Sequence, residues 1–204
     1  MKNVITNTKK GFLMVTMFFT LLSFANESSF FTVKNDAERT SLSLKNVKKG
    51  NLLSIFDDNG IILYKETINQ NGNYTKGFDL TTLPDGSYSF ELDADLEIKT
   101  IPFTVASNIV TFNKELELTT FKPLIKVKDN MVFISKFNSN LKPLKIDVYF
   151  ESSSYSFNSG LMHSETIKDI INVERILKLT GLKKGSYKIV ITTEGREFIK
   201  YINN

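Results

Sequence analysis

The stretch LTTLPDGSYSF, Leu80 to Phe90, returns as LTGLKKGSYKI, Leu179 to Ile189. Between Leu80 and Tyr88 six residues (Leu, Thr, Leu, Gly, Ser and Tyr) recur at a constant offset of 99. Each copy reads as a strand end, a turn closed by Gly86 or Gly185, and a new strand opening on Tyr88 or Tyr187. Leu83 and Leu182 are the matching apolar positions inside the turn. Pro84 presets φ for the second position of that turn, and Gly86 is a residue that can take a positive φ at little steric cost. Tyr88 and Tyr187 fall on the inward set of their strands, so they read as core residues whose hydroxyls reach the backbone of the turn. A supersecondary unit repeated at a fixed spacing implies a duplicated domain.

Outward from this motif the chain reads as successive strands. After Gly86 the alternation is clean: Tyr88, Phe90, Leu92 and Ala94 share one face, and Ser87, Ser89, Glu91 and Asp93 the other. Upstream, Ser29 to Val33, Arg39 to Val47, Leu52 to Asp57, Ile61 to Ile68 and Tyr74 to Leu80 carry strand patterns. Asp57-Asp58-Asn59-Gly60 is the strongest short hairpin signal and predicts that Ile61–Ile68 returns along Leu52–Asp57. Asn71-Gly72 marks another turn. Leu96 to Val105 closes the unit, with Pro102 pointing to an edge or a bulge. A break at Ala106-Ser107-Asn108 opens a second unit of the same grammar, with strands at Ile109–Phe112, Glu115–Phe121, Leu124–Lys128, Met131–Phe137 and Leu144–Phe150, and a last hairpin from Tyr187–Thr192 to Arg196–Ile202. GLMHSETI, Gly160–Ile167, echoes GIILYKETI, Gly60–Ile68, with a one-residue gap. Ser164–Leu179 fits two readings, a helix capped by Ser164 or strands, and its β-branched richness favours strands. About seven short strands per unit, with turn signals every ten or so residues, is the pattern of an immunoglobulin-like sandwich. The expected organisation is all-β: a leader over residues 1–25 and two tandem sandwich domains over 26–106 and 107–204.

The leader reading rests on Lys9-Lys10, an apolar run from Phe12 to Leu22, and small residues at Ser23 and Ala25 that suit cleavage before Asn26. The apolar run is shorter than the roughly 20 residues that span a bilayer, so no membrane span is expected after cleavage. The formal charge of +4 comes largely from that segment; beyond residue 25 the chain has 23 basic and 22 acidic side chains. A near-neutral surface does not point to nucleic acid or anionic membrane. With 17 Phe, 7 Tyr, no Trp and no Cys, stability falls on packing, and thiol chemistry and thiolate metal sites are excluded.

Few residues suggest chemistry. His163 is the one histidine, and it reads as a surface or edge-strand residue rather than a catalytic base, since a nucleophile needs a base beside it. Asp57-Asp58-Asn59 and Asp93-Ala94-Asp95 with Glu97 bring oxygens close, but acidic turn residues serve local hydrogen bonding and neither run has EF-hand spacing. No catalytic, cofactor or metal residues are expected. Tyr155 and Phe157, in the Ser-rich stretch Glu151–Gly160, are candidate ligand contacts for a glycan if exposed, and core residues if the loop folds back.

GNLLSIFDDNGIILYKETINQNG followed by FDLTTLPDGSYSFEL resembles the C-terminal sorting domains of the type IX secretion system of Bacteroidota. The matching positions are Asp57, Gly60, Asp79, Leu80, Leu83, Pro84, Gly86 and Tyr88; the second unit matches at Leu179, Leu182, Gly185 and Tyr187, with Lys183 in place of the proline. The resemblance covers Gly50–Val105 and, more loosely, Leu144–Asn204. It implies a small β-sandwich that is exported. Sequence alone therefore points to an exported, non-enzymatic interaction or structural module in the periplasm, at the cell surface or outside the cell, with a protein or surface glycan as partner; a sorting module and a glycan-binding module are the alternatives.

Overall fold

The computed structural model describes residues 30–36, 39–128, 131–151, 160–178 and 185–203. The expected leader, and Leu182, Tyr155 and Phe157, lie outside the described residues. Within them the chain is all-β, as the alternating patterns predict, and no helix there is long and apolar enough to cross a membrane.

The first seven strands are β1 (Phe31–Asp36), β2 (Arg39–Val47), β3 (Leu52–Asp57), β4 (Ile62–Thr67), β5 (Gly72–Phe78), β6 (Gly86–Asp93) and β7 (Glu97–Ala106). One sheet has the order β1-β2-β5, and the other runs β4-β3-β6-β7 before continuing to β8 (Ile109–Phe112). All pairs are antiparallel. The chain crosses between sheets at Gly50 and at Gly72, both with positive φ (98° and 97°), which a side chain would disfavour. Alternation buries Leu42 and Leu44 from β2, Leu53 and Ile55 from β3, Phe90 and Leu92 from β6, and Ile101, Phe103 and Val105 from β7 in one core.

The Leu52–Asp57 and Ile61–Ile68 strands pair as expected. The hairpin turn is held by Asp57: its carbonyl accepts from Gly60 N (3.1 Å), and its Oδ1 accepts from Asn59 N (3.0 Å) and Ile61 N (2.7 Å). In the LPDG turn, Leu83 N bonds Leu80 O at 3.2 Å, and the Tyr88 hydroxyl donates to Pro84 O at 2.7 Å. A tyrosine opening the sixth strand and bonding backbone a few residues upstream is the corner seen in immunoglobulin-like sandwiches. Gly86 does not use that freedom, since its φ is not in the left-handed region. A Cβ there would meet the Tyr88 ring at 3.5–3.7 Å, an ordinary van der Waals contact, so neither φ nor space requires glycine at this position. Asp85 has a role that its turn composition hides, its Oδ1 accepting Ser107 N at 2.8 Å.

One further expectation is corrected. Pro102 lies in the interior of its sheet, between β8, which pairs with Phe103–Ala106, and β9 (Leu118–Phe121), which pairs with Glu97–Thr100. Its carbonyl accepts from Asn113 N (3.3 Å) in the gap between those two partners, and its missing N–H faces the same side, where no ladder donor is required. Ser107 and Asn108, at the composition break, both have positive φ (51° and 63°) and form the two-residue turn that joins β7 to β8.

The remaining strands are β10 (Leu124–Lys128), β11 (Met131–Phe137), β12 (Leu144–Glu151), β13 (Gly160–Ile167), β14 (Asn172–Lys178), β15 (Ser186–Thr193) and β16 (Arg196–Asn203). Their sheets are β10-β11-β14 and β13-β12-β15-β16, the same order as the first seven strands shifted by nine. They enclose a second core with Val132, Ile134, Ile146, Tyr187 and Ile189 at its centre. The ambiguous stretch from Ser164 resolves as strand, bend and strand, with the bend at Asp169 (φ 57°).

Glu194 stands where the two cores meet. It forms, with Gly195, the tight turn between β15 and β16 (φ 53° and 71°). Its carboxylate accepts from Lys136 Nζ on β11 (2.7 Å), Asn140 Nδ2 (2.9 Å) and Thr120 Oγ1 on β9 (3.0 Å). Arg196 reaches across to Glu91 on β6, and Phe121 meets Phe137 edge-on at 5.1 Å. Burial alone would raise the Glu194 carboxyl, but the Lys136 and Asn140 bonds outweigh it and hold it below the ordinary range.

Truncating the central ring by Phe90→Ala should lower unfolding free energy by about 3–5 kcal/mol, and Tyr88→Phe by about 1 kcal/mol for the lost corner bond, both read by urea denaturation. Lys136→Ala should cost about 3–5 kcal/mol, because it leaves the Glu194 carboxylate buried without its cation; an unchanged urea midpoint would show that the ion pair is not buried in solution.

Candidate binding surface

The two edge strands β4 and β13 occupy equivalent places in the two halves and share three features. First, each is bulged against its inner partner. Ile55 faces Tyr64 while Phe56 faces Ile62, leaving Leu63 unpaired; Val148 faces His163 while Tyr149 faces Leu161, leaving Met162 unpaired. Second, each presents apolar side chains to solvent: Ile62 and Leu63 on one, with Ile61 just before it, and Leu161 and Met162 on the other. Bulges and charges are the usual means of blunting an edge, and here exposed apolar residues lie beside the bulge on both edges.

Third, each edge is tied to the opposite sheet by a carboxylate. Glu66 on β4 accepts from Tyr64, from Tyr74 and from Lys76, the last two on β5. Glu165 on β13 accepts from Arg175 Nε on β14 at 2.9 Å, with His163 Nε2 3.6 Å from its other oxygen. Tyr64 and His163, Glu66 and Glu165, and Lys76 and Arg175 are each 99 residues apart. The Lys76 bond, followed by those from the two tyrosine hydroxyls, pulls the Glu66 carboxyl down to about 2. Burial, reinforced by the neighbouring carboxylate, pushes the Tyr74 hydroxyl up. The lone histidine thus sits on an edge strand as one arm of a clasp.

Behind the second clasp a cavity of about 260 Å3 opens between β13 and β14 and reaches the core. Its floor includes Val132, Tyr187 and Ile189, each 0–1% exposed, and its rim Met162, His163 and Lys178. Another hollow, of about 330 Å3, lies between the halves beside Phe121, Phe137 and Lys136.

The motif residues Leu83, Gly86 and Tyr88 cluster at one turn, and Tyr187 is buried at the matching place; Gly185 has φ 155°. The acidic runs disperse: Asp93 pairs with Lys122, Asp95 with Lys48 (3.3 Å) and Glu97 with Lys99 (3.2 Å). Among the described residues no three His, Asp or Glu side chains come together in a metal-binding group. The clasp was missed in sequence because its members lie on strands of different sheets. The fixed offset of 99 carried the signal.

No protein family's sequence profile matches this chain, and no curated protein sequence matches it. Among solved structures it is similar to the BSP domain of a biofilm associated protein, at 14% identity and a TM-score of 0.27, covering 85% of this chain and 28% of that one. It thus spans well under two thirds of that protein's length. It is also similar to the human OSCAR ligand-binding domain (8% identity, TM-score 0.25, 86% and 97% covered) and to a structure of the receptor tyrosine kinase Torso concerned with neurohormone perception (8%, 0.24, 96% and 86%). Overlaps at these scores assign neither topology nor ligand to this chain; the fold rests on its strand order and its two cores.

The Glu66 clasp predicts a pH dependence. The carboxyl titrates near 4.5 when unfolded and near about 2 when folded, so its contribution is complete above pH 4.5 and is lost as pH falls through the folded value. Glu66→Gln should therefore show a shallower fall in urea midpoint than the parent across that window; parallel curves would mean that the clasp is not formed in solution.

Proposed function

We propose that this chain is an exported, non-enzymatic interaction module of the bacterial cell envelope, built from two tandem sandwich units. The observation that carries the reading is the pair of matching edges: both β4 and β13 hold an exposed apolar side chain at the same bulge, Leu63 at 44% and Met162 at 55% exposure. Exposed apolar groups repeated at equivalent places suit a partner surface better than a solvated one. The leader-like segment Lys9–Ala25 supports export. The tandem division is supported by the repeated strand order, and the pairing of β8 and β9 with β7 favours a changeover at Lys122-Pro123, later than the break at 106–107. The partner class is a protein or a surface glycan.

The likeness of Gly50–Val105 to type IX sorting domains supports a second reading, an export-associated module of that system. Both are tested by fractionating cells that express the chain, with surface proteolysis and the intact mass of the product. The envelope reading expects a chain beginning at Asn26 in the periplasm or outside the cell, whether or not a type IX apparatus works. Dependence on that apparatus would favour the sorting reading, and an uncleaved cytoplasmic chain would overturn both.

A further inference from the structure

The two cores differ in one systematic way. In the first, rings form a continuous row: Tyr64 meets Phe78 (5.2 Å between centroids), Phe78 meets Phe90 (5.1 Å), and Phe90 meets Phe103 (5.3 Å). Ninety-nine residues on, the same positions are His163, Leu177, Ile189 and Ile202. Each ring has become something smaller or shorter, while the tyrosine beside the row is kept, Tyr88 as Tyr187. All four replacements and Tyr187 line the cavity of about 260 Å3. The second sandwich is thus open at the place where the first is filled with aromatic side chains.

The shape and chemistry of the opening constrain what it takes. Its floor is apolar and its volume exceeds the roughly 150 Å3 of an engineered apolar cavity that takes up benzene. It is too small for an extended, multi-ring ligand, which occupies pockets of about 300–1,000 Å3. The rings of the first core show the occupant that such walls accept, edge-to-face or tilted at about 5 Å. At the mouth Lys178 supplies a cation, and the nearby Glu165 is already paired with Arg175. An anionic group at the rim therefore meets an attractive field.

We propose that this cavity is a binding site for a small single-ring aromatic molecule bearing an anionic group, the ring resting on Tyr187, Leu177 and Ile189 and the anion facing Lys178. The assignment does not depend on the edges invoked for the envelope role.

The test uses the full chain with labelled Ile, Leu and Val methyl groups, titrated with 4-hydroxyphenylacetate and, separately, with tyramine, which has the same ring and the opposite charge. Saturable shifts are expected at Val132, Leu177, Ile189 and Ile202, with Leu42, Leu53 and Ile101 of the first core unmoved. Tyramine should bind a few-fold more weakly, as expected for a solvent-exposed charge contact, and Lys178→Ala should erase that difference without altering the fold. Restoring the first core's rings with His163→Tyr and Leu177→Phe should weaken 4-hydroxyphenylacetate by about tenfold or more while leaving the urea midpoint no lower than the parent's. Absence of saturable shifts at those four residues would overturn the site, as would undiminished binding to the folded, ring-restored variant. Equal binding of the two probes to the parent would overturn the anionic assignment.

Discussion

The row of rings through the first core is the contact on which that half of the molecule depends. Phe78 enters from the three-stranded sheet and lies between Tyr64 and Phe90 of the facing sheet, so the stack joins the two layers. The chain has no cysteine, and a sandwich of this size without a disulfide relies on buried apolar area for cohesion. The ring row also sets detail elsewhere. Phe90 fixes which face of β6 is inward, and that in turn places Tyr88 where its hydroxyl reaches Pro84 and its ring covers Gly86.

The repeated strand order shows which features are held by geometry and which by volume. The turn tyrosine, the edge bulge and the acid-to-base clasp recur with strand order, because each answers a local requirement: a carbonyl to satisfy, an edge to blunt, two sheets to tie together. The ring row does not recur. A core needs apolar side chains of suitable total volume rather than particular ones, and the second half meets that need with Ile and Leu around Tyr187. The cavity is what remains of the difference.

The two halves are also joined by more than a linker. Glu194, on a hairpin of the second, accepts bonds from its own Lys136 and Asn140 and from Thr120 beside the first core. A buried carboxylate satisfied by three donors is held firmly in its own network.

Strand positions were legible because half-buried strands impose a period of two, and the runs from Arg39, Leu52, Leu124 and Met131 start and stop as read. Local turn chemistry was read less well. Pro102 reads locally as an edge marker and lies instead in a gap between two partners. The physical reason is that β8 and β9, which settle the place of Pro102, lie outside its local window. The all-β class, the repeat at 99 residues and the inward faces of the strands are already set along the chain, since they follow from alternation and from chain-local turns. Which edges carry exposed apolar groups, how Glu66 and Glu165 close them, how Glu194 joins the halves, and where the second core is left open were decided only by tertiary structure, because each depends on side chains brought together from strands of different sheets.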